Sequence, residues 1–221
     1  MVTNNLLWTV RHLAKKYKGD FLITESVKEE LINYPMTTKK FKFEAFMIND
    51  LILEKHIKLI DNDAELERLS SKLMYLANNI YIAKNRPISV LQKAETDTLA
   101  LAILMKSDAM LIDERTLRLL VEDPNKLSYI LGHRLHTKVS INKSNLNQFS
   151  EMVKKINILR STEIVTIAYE MGLLNRYISS GTKLHSEYKK PLLEGVLWAL
   201  KLKGCSISEE EINEILRFEK V

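Results

Sequence analysis

Apolar residues recur every three or four positions through most of the chain, which is the spacing of an amphipathic helix. Helices are predicted over residues 5–18, 24–32, 41–54, 64–83, 94–105, 127–134, 145–156, 162–172, 191–202 and 208–216. Short apolar runs predict strands over residues 21–23, 57–60, 109–112, 137–141 and 158–159. An alternation of strands and helices is typical of a parallel sheet with helices on its faces.

The same spacing predicts which side chains face the core. In the helix over 41–54 it places Phe43, Phe46, Met47 and Leu51 on the inner face. Further inward positions are predicted at Leu6, Leu7, Val10, Leu13 and Tyr17 in the first helix and at Leu66, Leu69, Leu73, Leu76 and Ile80 in the long helix. Trp8 and Trp198 lie in apolar stripes and are expected in the core.

The stretch from Lys93 to Val121 predicts a helix, a buried strand and a second helix. Asp97 lies near the start of the first helix, and Asp113 follows the strand. Ligands of open α/β sheets bind outside the carboxyl ends of the strands. Two carboxylates at that edge therefore indicate a site for a hard cation.

Composition limits the class of protein. The 221 residues are 46% hydrophobic and 28% charged, which is typical of a globular protein. The formal charge of +5 permits a polyanionic partner without requiring one. The single cysteine, Cys205, excludes an internal disulfide, and no apolar run approaches the ~20 residues of a membrane span. We expect a soluble, cytoplasmic protein with no membrane partner.

We predict one domain over residues 1–221, with a core over 1–124 and an insertion and helical C-terminal part over 125–221. The weak boundary lies near Pro124-Asn125, and the expected flexible loop is Ser179-Ser180-Gly181. Ser208 and Glu211 form a capping box at the start of the last helix.

Three segments, taken in order, resemble the PIN-domain nucleases, in particular archaeal and toxin-like members. They are Ile23-Thr24-Glu25-Ser26-Val27-Lys28-Glu29-Glu30-Leu31, Glu95-Thr96-Asp97-Thr98-Leu99-Ala100-Leu101-Ala102 and Leu111-Ile112-Asp113-Glu114-Arg115. Residues 158–163 with 172–174, and residues 193–216, resemble the last strand and helices of some members. The likeness covers most of the chain and is strongest from Lys93 to Val121.

The resemblance implies a three-layer α/β/α fold with a central parallel sheet and a helical C-terminal extension. It implies that Glu30, Asp97 and Asp113 are catalytic, and that they bind Mg²⁺ or Mn²⁺ with Glu95 as an accessory acid. RNA is the implied substrate, and a homodimer is a possible assembly.

One feature departs from the family pattern. The family begins with a central strand that ends in a metal-binding Asp, whereas here the first helix starts almost at Met1 and no acid precedes Asp20. The open explanations are a shortened chain, a misassigned start, a strand supplied by a partner chain, or a divergent domain. Asn4 or Asn5 would be a weak substitute ligand without the charge.

General chemistry supports a carboxylate site. Mg²⁺ and Mn²⁺ prefer oxygen ligands, and such ions polarise a phosphate and lower the pKa of an attacking water. Thr116 is placed to orient a ligand or water, and Arg115 and Arg118 to contact phosphates of the substrate.

Structural explanations exist for each residue taken alone. Asp97 could complement a helix dipole, Asp113 could cap the next helix, and Glu30 could be a solvated surface charge. His133 and His136 could suggest zinc, but no Cys or Glu accompanies them in the pattern of a zinc site. Two basic clusters could follow a phosphate backbone or could simply be solvated; they are Lys39, Lys40 and Lys42, and Arg134, Lys138 and Lys143.

Two functions therefore stay open. The first is a metal-dependent ribonuclease that hydrolyses RNA phosphodiester bonds. The second is a PIN-like module that has lost its first carboxylate and binds RNA or a protein partner. A toxin role is a weaker possibility, because the chain is longer than compact toxins of that kind.

Overall fold

The structure is a computed structural model that describes residues 6–17, 19–178 and 188–219. Asn4, Asn5 and the loop Ser179-Ser180-Gly181 lie outside these ranges, so the expectations for them stay untested. None of the described helices has the length and apolar character needed to cross a membrane. The described chain is mixed α/β, as the hydrophobic pattern predicts.

The elements follow the predicted order, with ends that differ by a few residues in most places. The helices are α1 (Leu7–Tyr17), α2 (Glu25–Lys28), α3 (Tyr34–Thr37), α4 (Lys42–Leu53), α5 (Ala64–Ala77), α6 (Lys93–Leu104), α7 (Arg115–Glu122), α8 (Pro124–Arg134), α9 (Lys143–Val153), α10 (Ser161–Glu170), α11 (Lys189–Leu202) and α12 (Glu209–Phe218). The strands are β1 (Phe21–Thr24), β2 (Ile57–Ile60), β3 (Tyr81–Ala83), β4 (Arg86–Pro87), β5 (Met110–Leu111), β6 (Val139–Ile141) and β7 (Ile158–Leu159).

The segment after β1 is one continuous helical stretch that contains a π turn over Glu29–Asn33. Thr24 begins it, because its hydroxyl accepts a hydrogen bond from the Val27 amide. Pro35 explains the π turn: proline has no N–H to donate to the carbonyl four residues back. The backbone hydrogen bonds of this turn instead reach five residues back, and the Tyr34 amide donates to the Glu29 carbonyl.

The prediction of one helix over residues 64–83 is wrong beyond Ala77. There α5 ends, and β3 begins at Tyr81. The Asn78 side chain fixes this change, because it accepts hydrogen bonds from the Val90 and Leu91 amides and donates one to the Leu91 carbonyl. These contacts are distant in sequence, so the apolar spacing carries no sign of them.

The strands form three separate small sheets in the described ranges. Strands β1 and β2 pair in parallel, as do β5 and β7, and β4, β3 and β6 form an antiparallel sheet. The two parallel pairs agree with the predicted parallel pairing. They lie in separate sheets, however, and β6, within the strand predicted over 137–141, pairs antiparallel, so the described residues do not form the single central parallel sheet that was predicted. Pro87 lies on an edge strand, where its missing N–H leaves no ladder hydrogen bond unmade.

The largest core cluster joins α5, α6, α7 and α9. Its fully buried members include Leu73, Leu99, Leu117, Leu120 and Phe149. Helix α6 packs against α5 and α2 and also contacts β1 and β5. The predicted helix, strand and helix of this unit are therefore present as α6, β5 and α7, although Leu111 of the strand is exposed and not buried as expected.

Several predictions of inward-facing side chains are wrong. Phe43, Phe46 and Tyr17 are exposed. Helix α4 buries Leu51, as predicted, together with Ala45 and Ile48. This helix is apolar on more than one side, so spacing alone could not identify the buried face. Trp8 and Trp198 are half-buried at the margins of two smaller clusters.

The C-terminal helices pack as a layer on α10. Helix α10 contacts α11, which contacts α12. The capping box at Ser208 is confirmed, because its hydroxyl accepts from the Glu211 amide and the Glu211 carboxylate accepts from the Ser208 amide.

Candidate functional site

The predicted site residues lie on elements that meet at the carboxyl ends of β1 and β5. Glu30 is exposed on the π turn after α2. Glu95 and Asp97 are on α6, which packs against α2. Asp113 follows β5, and Glu114 caps α7 by accepting a hydrogen bond from the Leu117 amide.

The negative charges of Glu30 and Glu114 both act on Glu95. Partial burial of Glu95 and the negative charges of Glu114 and Glu30 raise the pKa of the Glu95 carboxyl. Its hydrogen bond from the Gln92 amide acts in the opposite direction without cancelling them. Carboxylates that disfavour each other's ionisation mark a place where a cation would be stabilised.

Asp97 has a different environment, because it is fully buried and surrounded by donors. Ser70 donates to Oδ1 at 2.5 Å and Ser26 to Oδ2 at 2.7 Å. Lys93 donates to Oδ1 at 3.0 Å. Burial would raise the pKa of Asp97, but the hydrogen bonds from Ser70, Ser26 and Lys93 outweigh it and hold that pKa below its ordinary value.

Lys93 connects this buried carboxylate to the surface. Its ammonium also lies 2.5 Å from a carboxylate oxygen of Glu67 on α5. Partial burial lowers the pKa of Lys93, but the hydrogen bonds and charges of Glu67 and Asp97 reverse this and raise it. Asp97 therefore has a positive charge beside it within the protein itself.

Asp113 belongs to a third network, at the start of α10. It accepts hydrogen bonds from the Ser161 amide at 2.7 Å and the Ser161 hydroxyl at 2.5 Å. The Cys205 thiol donates to the same carboxylate at 3.2 Å. Asp113 thus joins β5 to α10 and to the loop before α12, whereas Glu114 caps the helix that follows it.

The predicted substrate contacts lie along α7, beside the loop before α12. Arg115 is exposed and Thr116 is half-buried. Arg118 pairs with Glu122 at 3.4 Å and approaches the Ser206 hydroxyl at 3.5 Å. Arg115 and Arg118 line a cleft that also contains Glu209, Glu210 and Glu211, so its charge is mixed. No phosphate preference follows from that cleft.

The donor chemistry fits a hard cation, since Glu30, Glu95 and Glu114 offer carboxylate oxygens in a negative field. Their arrangement is looser than a coordination shell. Within the described residues, no three Asp, Glu, His or Cys side chains are grouped so that they could hold one ion. The His133 ring contacts the Tyr129 ring at a tilt of 58°, with centroids 4.4 Å apart, and both His133 and His136 are exposed.

Sequence reasoning missed the residues that surround Asp97. Lys93 had a signal, because it lies four residues before Asp97 on one helix face. Ser26 lies within the segment that resembles the family. Ser70 had none, because it reaches Asp97 only through the packing of α5 on α6.

Comparison of the chain with protein-family models, with curated proteins and with solved structures gave no match.

Proposed function

We propose that the chain is a cytoplasmic, PIN-like, metal-dependent ribonuclease that hydrolyses RNA phosphodiester bonds. The observation that carries the proposal is the packing of α6, which bears Glu95, against α2 and β5, because the segments after those two elements bear Glu30 and Glu114. The raised pKa of Glu95, caused first by its burial and then by Glu114 and Glu30, agrees with this placement. It supports a cation-binding edge at the carboxyl ends of β1 and β5, where ligands of α/β proteins collect. In this proposal the two parallel strand pairs belong to the two halves of the family's central sheet.

Glu30 and Glu95 would hold Mg²⁺ or Mn²⁺, with Asp97 and Asp113 completing the negative edge. The bound ion would polarise the scissile phosphate and lower the pKa of an attacking water. Lys93 keeps Asp97 ionised but also compensates its charge, so the negative charge available to the ion would come chiefly from Glu30, Glu95 and Glu114. Arg115, Arg118 and Thr116 stay predicted contacts to the substrate or to water.

The test is cleavage of end-labelled single-stranded RNA in the presence of Mn²⁺, Mg²⁺ or EDTA. We expect cutting only with a divalent ion, and loss of cutting in Glu95→Gln and Asp113→Asn. Glu95→Gln is informative because glutamine removes the charge while its side-chain oxygen can still accept from the Gln92 amide. Glu29→Gln, next to Glu30 on the same exposed turn, is the matched control.

Full activity of Glu95→Gln would contradict the proposed site. Cutting that persists in EDTA would contradict the metal requirement. An N-terminal extension that supplies a strand ending in Asp distinguishes an incomplete site from an inactive one, because only an incomplete site gains activity from it.

A second function has its own supporting observation. Both oxygens of Asp97 already accept hydrogen bonds from Ser26, Ser70 and Lys93. A carboxylate satisfied in this way gains less from a metal ion, which favours a non-catalytic PIN-like module for RNA or protein binding. RNA binding without cutting, with every ion and with the extension, is the result that this function predicts.

A further inference from the structure

Four exposed aromatic rings occur between Tyr34 and Phe46, from α3 across the turn to α4. Tyr34 is 66% exposed, Phe41 43%, Phe43 71% and Phe46 54%. Helices α3 and α4 pack against each other, so the rings belong to one region of the surface. A group of large exposed apolar side chains is uncommon on a folded protein and usually marks a binding surface. We name these four rings, with the lysines described next, the aromatic–lysine surface.

Three lysines alternate with these rings. Lys39, Lys40 and Lys42 are all exposed. None of the three has an ion pair within the part of the chain that the structure describes, and Glu44 is the only acid between Tyr34 and Phe46. The surface therefore presents uncompensated positive charge beside apolar rings.

The turn holds one of these rings in place. Phe41 has a φ of 63°, a left-handed conformation that residues other than glycine rarely adopt. The Thr38 hydroxyl donates to the Lys40 carbonyl at 2.7 Å, and the Thr38 amide donates to the Pro35 carbonyl at 3.0 Å. The Lys40 ammonium lies 4.7 Å from the centre of the Phe41 ring. The turn thus has an aromatic ring and a cation next to each other on its surface.

We infer that the aromatic–lysine surface binds single-stranded RNA, with bases stacked on the rings and phosphates paired with the lysines. Single strands expose the faces of their bases, and proteins that bind them combine aromatic platforms with a positive track for the backbone. A duplex buries the faces of its bases within the helical stack, so exposed aromatic rings would contribute little to the affinity for a duplex. A purely apolar protein partner would leave Lys39, Lys40 and Lys42 without counter-charges.

The position of the surface links it to the proposed cleavage site. Tyr34 lies four residues after Glu30 in one uninterrupted helical stretch, a rise of about 6 Å along a helix axis. RNA stacked on Tyr34 would pass beside the carboxylate edge. The inference rests on the proposed function for this orientation, while binding itself needs no catalysis.

Binding is measured without metal, so that cleavage plays no part. A fluorescein-labelled oligouridine is titrated in EDTA and followed by fluorescence anisotropy. Tyr34→Ala and Phe43→Ala should each weaken binding by about 5- to 150-fold, the range expected for loss of one stacked base. Tyr75→Ala is the matched control, because Tyr75 is also 66% exposed but lies on α5.

The charge contribution is measured from the salt dependence of the same binding. Lys42→Gln should reduce the slope of log K against log salt by about 0.7, the value for one phosphate contact in a single strand. Lys72→Gln, an exposed lysine on α5, should leave the slope unchanged. All these positions are exposed, so the variants are expected to melt at the temperature of the starting protein.

Equal loss of RNA affinity in Tyr34→Ala and Tyr75→Ala would overturn the inference. So would competition by heparin that equals competition by oligouridine, because heparin has charge and no bases. Concentration-dependent self-association that Phe43→Ala abolishes, together with unchanged RNA affinity, would assign the surface to a protein contact instead. RNA that is bound through the rings but never cut supports the inference and contradicts the proposed nuclease, so the two failures are distinguishable.

Discussion

Removal of the Ser70 hydroxyl is the most direct test of the hydrogen-bond network around the buried Asp97 carboxylate. Ser70 is fully buried and donates a 2.5 Å hydrogen bond to Asp97 Oδ1. Ser70→Ala deletes one oxygen. Ser26, Lys93 and, at 3.5 Å, the Asn62 amide remain as donors to the carboxylate. The substitution keeps helix propensity, since alanine is the best helix former.

The expected cost follows from the charge on the acceptor. A hydrogen bond to an ionised group contributes about 1.5–3 kcal/mol, about twice the value for neutral partners. We expect Ser70→Ala to lower the free energy of unfolding by that amount at pH 7. For a protein of this length, the melting temperature should fall by about 3–12 °C.

The pH dependence of this destabilisation follows from the direction in which the pKa of Asp97 is shifted. The folded-state pKa of Asp97 is held below its ordinary value, so its stabilising contribution is complete above the unfolded pKa of about 3.9. It is lost as pH falls through the folded pKa. Loss of the Ser70 donor brings the folded pKa back upward. The gap between the two proteins should therefore be constant from pH 7 to about pH 4 and shrink below that.

The assay is urea unfolding followed by circular dichroism, repeated between pH 7 and pH 3. Ser71→Ala is the matched control, because Ser71 is the next residue on α5 and is exposed. Equal destabilisation by both substitutions would refute the network. A gap that does not shrink at any pH down to the acid unfolding of the protein would show that the hydrogen bond does not depend on the charge of Asp97.

Two further outcomes test the backbone and the buried thiol by thermal melts and thiol labelling. Gly195→Ala, in the open middle of α11, should stabilise the folded protein by about 0.5–1 kcal/mol. Gly172→Ala should destabilise it by about 1 kcal/mol or more, because Gly172 has a φ of 72°. Melting temperatures that shift in the same direction in both variants would contradict this. Burial and the Asp113 carboxylate raise the pKa of Cys205 to about 12, so Ellman's reagent at pH 8 should label it slowly in the native protein and quickly in urea. Rapid native labelling would show that the thiol is accessible.

The positions of most helices and strands could be predicted from apolar spacing, because a helix or strand must bury one side whatever its partner. The inner face of α4 could not, because Phe43 and Ile48 are both apolar and lie on different sides of it. Likewise, the end of α5 at Ala77 depends on contacts of Asn78 with residues 90 and 91. The local pattern of apolar residues predicts where a helix or strand lies, whereas packing decides which of two apolar sides is buried.

The candidate site divides in the same way. The apolar pattern placed Asp97 near a helix start and Asp113 after a strand, and the family resemblance added Glu30 and Glu95. Only the tertiary structure separates them: Glu30 acts on Glu95, while Asp97 and Asp113 each accept hydrogen bonds from serines on other elements. The ionisation of a carboxylate depends on the charges and donors within a few ångströms, and chain folding alone sets those neighbours.

The sequence by itself determined the class of the fold, the order of its elements and the acids available for chemistry, because these follow from spacing and residue type. The tertiary structure decided that Asp97 is buried beside Ser26 and Ser70, that Asp113 joins β5 to α10, and that rings expected in the core face solvent. Each of these depends on contacts between residues far apart in the chain. Such contacts leave no periodic trace along it.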